Sequence, residues 1–141
     1  MGDCFPVEIA VRNAVADLEH GRFDAYLERV YPTYVAVSRA EDPVLKRCFI
    51  EMAQTVGQGA GLRQMRALLA IVTPLENLDQ ICCPTLVIGG REDHRTTPAA
   101  HEALAREIPG STLEIIDDAA HFTPLEQPNM VTALLQRWMT S

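Results

Sequence analysis

The sequence is poor in basic and aromatic residues, and no apolar run in it approaches the length of a membrane span. Lysine and arginine total 12 against 19 aspartate and glutamate, a formal net charge of -7. Clustered cations are needed to bind nucleic acid or an anionic membrane, so this composition argues against both partners. The opening MGDCFPVEIA also lacks the pattern of a signal peptide. We therefore expect a cytoplasmic protein with no nucleic-acid and no membrane partner.

Cysteine is also scarce, with Cys4, Cys48, Cys82 and Cys83 as the complete set. Their spacing fits neither a disulfide framework nor a set of metal ligands. Cys82 and Cys83 are adjacent, and disulfides between neighbouring residues are rare. We expect both to be buried free thiols in a reducing compartment.

At 141 residues the chain has the length of one domain, but its pattern changes near Pro74. Before this proline, apolar residues recur at helical spacing, which predicts four helices that begin near Ile9, Phe23, Pro43 and Leu62. The third helix has an apolar stripe over Leu45, Cys48, Phe49, Met52 and Val56. We therefore predict a helical region over residues 1–73 and a second region over residues 74–141.

The second region alternates between strand and helix patterns. PTLVIGG, residues 84–90, is typical of a strand in a parallel sheet, and TLEIID, residues 112–117, is the next strand. A helix from Pro98 separates them, and another begins at Pro128. This order predicts an α/β fold with a β-α-β-α unit and parallel strands. Two such strands cannot close a sheet, so we expect further strands, or a second chain or homodimer that completes the sheet.

Two titratable residues follow the two predicted strands. Asp93 comes just after the first strand and His121 just after the second. Functional groups gather at the carboxyl ends of parallel strands, so the two should meet at one rim. A carboxylate there can hold the imidazole in one tautomer and leave its other nitrogen as general base. Taken alone, Asp93 is more simply interpreted as a turn carboxylate and His121 as a packed loop histidine. Their joint placement after two neighbouring strands favours an active site.

A resemblance to a known family rests on the stretch ICCPTLVIGGREDHRTTPAAHEALAREIPGSTLEIIDDAAHFTPLEQPNMVTALLQRWM, residues 81–139. It resembles the C-terminal segment of the α/β-hydrolase fold superfamily, and residues 51–81 are similar to the helical cap of enol-lactonase-like bacterial members. The resemblance implies a partial α/β-hydrolase fold, with residues 1–73 as cap or lid and residues 74–141 as part of the core. It also implies Asp93 as the acid and His121 as the base of a catalytic triad. The implied substrate is a small hydrophobic ester, lactone or related acyl compound, with no cofactor and no metal.

One part of the family pattern is missing from the sequence, the G-x-S-x-G motif that carries the nucleophile. Ser38 is the only serine before Asp93 and has no flanking glycines. Cys48 belongs to a helical stripe, and Cys82 and Cys83 precede a strand, so none of them is expected to act as nucleophile. We expect the chain to be the C-terminal part of a serine hydrolase whose upstream segment is missing, and to have little activity alone.

Several alternatives stay open. The same fold can serve as a non-catalytic ligand-binding module or as an assembly partner, and epoxide, haloalkane and acyl-transfer chemistries remain possible within the enzyme class. Glu92 is a second candidate for the acid. His94 and His101 with Asp93 could hold a metal, but we expect both histidines at the surface. Glu126 is expected to favour the N-terminus of the last helix. Ala120 stands where many relatives have glycine, and we expect it only to tighten the turn.

Overall fold

The computed structural model describes residues 5–70 and 77–140, with side chains described from residue 9 onward. The chain divides into two compact units, Met1–Tyr31 with Pro43–Val72 and Pro32–Asp42 with Thr73–Ser141. The predicted boundary at Pro74 lies outside the described residues, as does Cys4. The sequence pattern did not indicate that Pro32–Asp42 would join the C-terminal unit.

Over its described residues the first unit contains four helices, as the apolar spacing predicted. They are α1 (Phe5–Glu19), α2 (Phe23–Val30), α3 (Pro43–Val56) and α4 (Gln58–Ala70). Gly21 and Gly57 have φ angles of 71° and 81°, in the left-handed region that favours glycine after a helix end. These two glycines therefore separate α1 from α2 and α3 from α4. In the described parts of the chain, no helix is both long and apolar enough to cross a membrane.

Helix packing in this unit departs from the predicted pattern at two places. In α3 the stripe is buried at Leu45 and Phe49, but Met52 and Val56 are 50% and 51% exposed. Helix α4 begins at Gln58, before the predicted start near Leu62, so Gly59 and Gly61 lie in its first turn. A Cβ atom at Gly61 would lie 3.4 Å from the Leu18 side chain, so α4 faces α1 at this glycine.

The first unit also contains a nearly buried carboxylate. Asp17 is 8% exposed and accepts hydrogen bonds from the guanidinium groups of Arg22, at 2.9 Å, and Arg29. The hydrogen bond from Arg29, and then that from Arg22, lowers the pKa of Asp17 below its ordinary value of 3.8. This cluster links the end of α1 to α2.

In the second unit the described residues form two parallel strands, β1 (Leu86–Gly90) and β2 (Thr112–Ile116). They pair in register from Leu86 with Thr112 to Gly90 with Ile116, so the parallel arrangement predicted from the sequence is confirmed. The helices of the unit are α5 (Pro98–Glu107), the single-turn α6 (Thr123–Glu126) and α7 (Pro128–Met139). Short 3-10 turns span Val37–Arg39 and Leu78–Gln80, and a third, Tyr31–Thr33, lies where the chain passes from the first unit to the second.

A small apolar core holds the strands against the last helix. Ile116, Ala119 and Leu134 are buried together, and three partly buried residues pack against them, Leu86, Ile88 and Val131. Ile116 is the last residue of β2, so this packed core fixes the carboxyl end of the strand and the start of the loop that follows it.

Two sequence expectations about this unit were wrong. Cys82 and Cys83 are exposed, because the strand begins only at Leu86 and leaves both thiols in the preceding loop. His101 is half-buried, whereas a surface position was expected. A Cβ atom at Gly89 would lie 2.8 Å from its ring, which shows that the imidazole packs on the bare backbone of β1.

Candidate active site

The loops that follow the two strands are joined by backbone hydrogen bonds. The N–H of Arg91 donates to the carbonyl of Ile116 at 2.8 Å, and the N–H of Glu92 donates to that of Ala119 at 2.9 Å. Gly90 permits this approach because it has no side chain between the loops. The pairing of the strands is thus continued into the loops, which brings the residues after each strand to the same rim.

Asp93 lies in the first of these loops and is 4% exposed. Its Oδ1 accepts the backbone N–H groups of Arg95, at 2.8 Å, and Thr96, at 2.9 Å. An aspartate that accepts backbone N–H groups two and three residues ahead stabilises its own turn. One carboxylate oxygen is therefore used to fix the loop, and the other points away from the turn.

That second oxygen meets the histidine. Asp93 Oδ2 lies 2.9 Å from His121 Nδ1, so the structure brings together the two residues that the sequence predicted for the site. The side chain of His121 is 34% exposed, against 4% for Asp93. A buried acid that binds Nδ1 fixes the ring orientation and leaves Nε2 as the nitrogen for proton transfer.

Residues 33–38, here called the backing segment, lie behind the histidine. The carbonyl of Tyr34 accepts the backbone N–H of His121 at 3.0 Å and that of Phe122 at 3.2 Å. The Tyr34 ring also contacts the His121 ring edge-on, with 5.3 Å between the ring centroids. The backing segment therefore supports both the backbone and the ring of the histidine.

The same tyrosine contacts Arg95, in the loop that carries Asp93. The guanidinium of Arg95 lies 3.8 Å from the centre of the Tyr34 ring, a close cation–π contact. Its Nη2 donates to Thr33 Oγ1 at 3.0 Å. Because Arg95 follows Asp93 by two residues, these contacts connect the Asp93 loop to the backing segment.

Two glutamates have roles that the sequence did not indicate. Glu92, the alternative acid, accepts the N–H of Val37 at 3.0 Å, while Asp93 pairs with the histidine. Glu126 ends α6 and is 3% exposed, with both oxygens on backbone N–H groups of Ala36 and Ala120. The expected placement of Glu126 at the start of the last helix was therefore incomplete. Its partner Ala36 lies far away in the sequence, and no local pattern could have shown it.

The other residues considered earlier lie in different settings. Ser38 donates its hydroxyl to Asp118, whose φ angle of 52° lies in the left-handed region. Cys48 contacts Met52 within α3. His94 is exposed, and within the described ranges no three His, Cys, Asp or Glu side chains cluster as they would around a metal ion.

Comparison with known proteins identifies the family. The alpha/beta hydrolase fold family model matches residues 16–128. The chain belongs to the alpha/beta hydrolase fold family, as its resemblance predicted. Among curated proteins it is similar to monoacylglycerol lipase ABHD6 of Mus musculus, with 29% identity over 66 residues. That match spans 47% of this chain and 20% of the lipase.

Solved structures share the same fold. An esterase from Exiguobacterium antarcticum superposes with a TM-score of 0.82 and 19% identity, over 95% of this chain and 48% of the esterase. The enol-lactonase from Burkholderia xenovorans LB400 gives a TM-score of 0.81 and 22% identity, over 92% of this chain and 49% of the lactonase. The chain thus spans about half the length of these proteins and has a partial alpha/beta hydrolase fold.

Proposed function

We propose that Asp93 and His121 are the acid and the general base of a serine hydrolase that acts on a small hydrophobic ester, lactone or related acyl substrate. The observation that carries this proposal is the 2.9 Å contact between Asp93 Oδ2 and His121 Nδ1, formed by a buried acid and a partly exposed imidazole. The esterase, lactonase and lipase among the similar proteins support the substrate class. A G-x-S-x-G serine is absent from the 141 residues, so we propose that the nucleophile comes from outside them.

In the proposed reaction, His121 Nε2 takes the proton of the serine hydroxyl as its oxygen attacks the substrate carbonyl. The imidazolium then gives this proton to the departing alkoxide, which leaves an acyl-serine ester. Water then attacks that ester while His121 takes one of its protons; the imidazolium returns this proton to the serine oxygen as the acyl–serine bond breaks and the acid product leaves. Throughout, Asp93 holds Nδ1–H and stabilises the imidazolium without taking the proton itself.

The helical residues 1–73 are proposed as the cap and residues 74–141 as part of the catalytic core. The two compact units support this division in part, since the four helices belong to one unit and both strands to the other, whereas Pro32–Asp42 lies within the unit proposed as core. A cytoplasmic location also remains a proposal. It is supported by the free thiols of Cys48, Cys82 and Cys83, because reducing compartments keep thiols unpaired.

The decisive experiment is to supply the serine. These residues would be expressed together with a polypeptide that carries a G-x-S-x-G motif, from the same reading frame or as a separate partner, and turnover of p-nitrophenyl butyrate measured. We expect His121→Ala and Asp93→Asn each to lower kcat by about 10³- to 10⁴-fold. The matched control is His94→Ala, which removes an exposed histidine from the same rim and should leave kcat unchanged.

Two results would contradict the proposal. One is an active assembly whose kcat is unaffected by His121→Ala. The other is turnover at ordinary enzyme rates by the purified 141-residue chain alone, abolished by His121→Ala, which would place the nucleophile inside this sequence.

A second candidate function is assembly, in which another polypeptide completes the sheet. Over the described residues the sheet has two strands, and β1 pairs with β2 along one edge. A strand edge that presents N–H and C=O groups is a template for a further strand. This candidate predicts stable association in solution, which sedimentation at micromolar concentration would test; a compact monomer would contradict it.

A further inference from the structure

The carboxylate of Glu126 lies among backbone groups, although glutamate is seldom buried. Its Oε1 accepts the N–H of Ala36 at 2.6 Å, and its Oε2 accepts the N–H of Ala120 at 2.9 Å. Ala36 belongs to the backing segment, and Ala120 directly precedes His121. One side chain therefore connects the loop that carries the histidine to the segment behind it.

The two hydrogen bonds to Glu126 hold the backbone at Ala36 and Ala120 in place. Hydrogen bonds to an ionised carboxylate are shorter and stronger than those between neutral groups. Ala36 and Ala120 are 0% and 2% exposed, so their N–H groups are shielded from bulk water and depend on the carboxylate as acceptor. A buried N–H group without a partner is costly, which means that loss of Glu126 forces the two backbones to rearrange.

The two backbones that Glu126 joins are those that set the position of His121. The Tyr34 carbonyl, two residues before Ala36, accepts the N–H of His121 and that of Phe122. The hydroxyl of Thr123 holds the Ala120 carbonyl at 2.7 Å. Movement at Ala36 or Ala120 is therefore transmitted directly to the histidine, and from there to its contact with Asp93.

We propose that Glu126 is a positioning residue that holds His121 in the orientation in which Nδ1 meets Asp93. The inference rests on the proposed function, since it assigns to Glu126 the support of the general base. The Glu126 carboxylate acts through the backbone N–H groups of Ala120, the residue before His121, and of Ala36 in the backing segment.

The first test is spectroscopic and uses the 141-residue chain. The proton on His121 Nδ1, bound by Asp93, should give a far-downfield NMR resonance, assigned by its loss in His121→Ala. Glu126→Gln keeps the size of the side chain but presents an amide NH₂ to one of two N–H donors. We expect this variant to lose or shift the resonance. The matched control is Asp17→Asn, which removes a nearly buried carboxylate from the other unit and should leave the resonance in place.

The second test uses the form supplied with a nucleophile. A small displacement of a catalytic group can lower kcat by about 10²-fold, and we expect a loss of this order for Glu126→Gln with little change in KM. If Glu126→Gln fails to fold, Glu126→Asp is the replacement. Aspartate keeps the charge, but its side chain is one methylene too short to reach both N–H groups. We therefore expect Glu126→Asp, like Glu126→Gln, to lose or shift the resonance.

The outcomes separate this inference from the proposed function. If the substituted chain unfolds more easily but keeps the resonance and kcat, Glu126 is only structural and the inference is overturned. If Asp93→Asn leaves the wild-type resonance unchanged, the acid–histidine pair itself is wrong and the proposed function fails instead.

Discussion

Gly90 lies directly against the backbone of Ala119: a Cβ atom at this glycine would come within 2.4 Å of the Ala119 carbonyl oxygen. The carbonyl oxygen of Ala120 would be equally close. Because the obstructing atoms belong to the backbone, they cannot rotate away as the end of a side chain can. The last residue of β1 therefore has to be glycine if the histidine loop is to keep its place.

This contact predicts that Gly90→Ala destabilises the fold by about 1–3 kcal/mol, as overpacking of a filled interior does. The free energy of unfolding in urea would measure the effect. Gly59→Ala is the matched control. Its Cβ atom would lie 3.8 Å from an arginine side chain within α4, and alanine at a helical position should stabilise by about 0.5–1 kcal/mol. Equal stability of Gly90→Ala and wild type would contradict the packing argument.

Substitution of Asp93 should separate its two hydrogen-bonding roles. In Asp93→Asn the amide oxygen can still accept the N–H groups of Arg95 and Thr96, so the turn should persist, while its NH₂ group faces His121 Nδ1. Asp93→Ala removes both roles and should cost about 1–3 kcal/mol more, because buried N–H groups lose their acceptor. Urea unfolding compares stability, and nitrogen chemical shifts of His121 report its tautomer. If the asparagine variant is as unstable as the alanine variant, the turn depends on the charge.

Local sequence patterns predicted the elements of the second unit and the meeting of Asp93 with His121, because strand order and the rule for strand ends depend on short stretches of chain. They did not predict the backing segment, whose contacts with the histidine loop, including Ala36 with Glu126, come from distant parts of the sequence. Nor did they predict the exposure of Cys82, since a proline-led apolar run does not fix the residue at which the strand begins. Thus the contact between Asp93 and His121 could be inferred from sequence, while the backbone contacts that support it could not.

The packing of His101 on Gly89 gives a prediction about a pair of residues. Gly89→Ala would place a Cβ atom 2.8 Å from the imidazole and should destabilise the fold by about 1–3 kcal/mol. His101→Ala removes the ring that the new Cβ atom would meet. The double variant should therefore lose less free energy of unfolding than the two single variants together, by about 1 kcal/mol. Urea unfolding of all four proteins measures this coupling. Additive effects would mean that the ring moves aside freely.

The Asp17 cluster predicts how the first unit responds to acid. Hydrogen bonds from Arg29 and Arg22 lower the pKa of Asp17 in the folded chain below its ordinary value of 3.8. As pH falls, the unfolded chain takes up this proton first, so the contribution of Asp17 to stability is complete above the ordinary pKa and is lost as pH falls through it toward the lower folded pKa. Asp17→Asn should therefore be less stable than wild type near neutral pH, and the difference should shrink in acid. Unfolding by urea at a series of pH values, followed through the helical signal, tests this. A difference that stays constant from neutral pH to below the ordinary pKa would show that Asp17 contributes through packing alone and not through its charge.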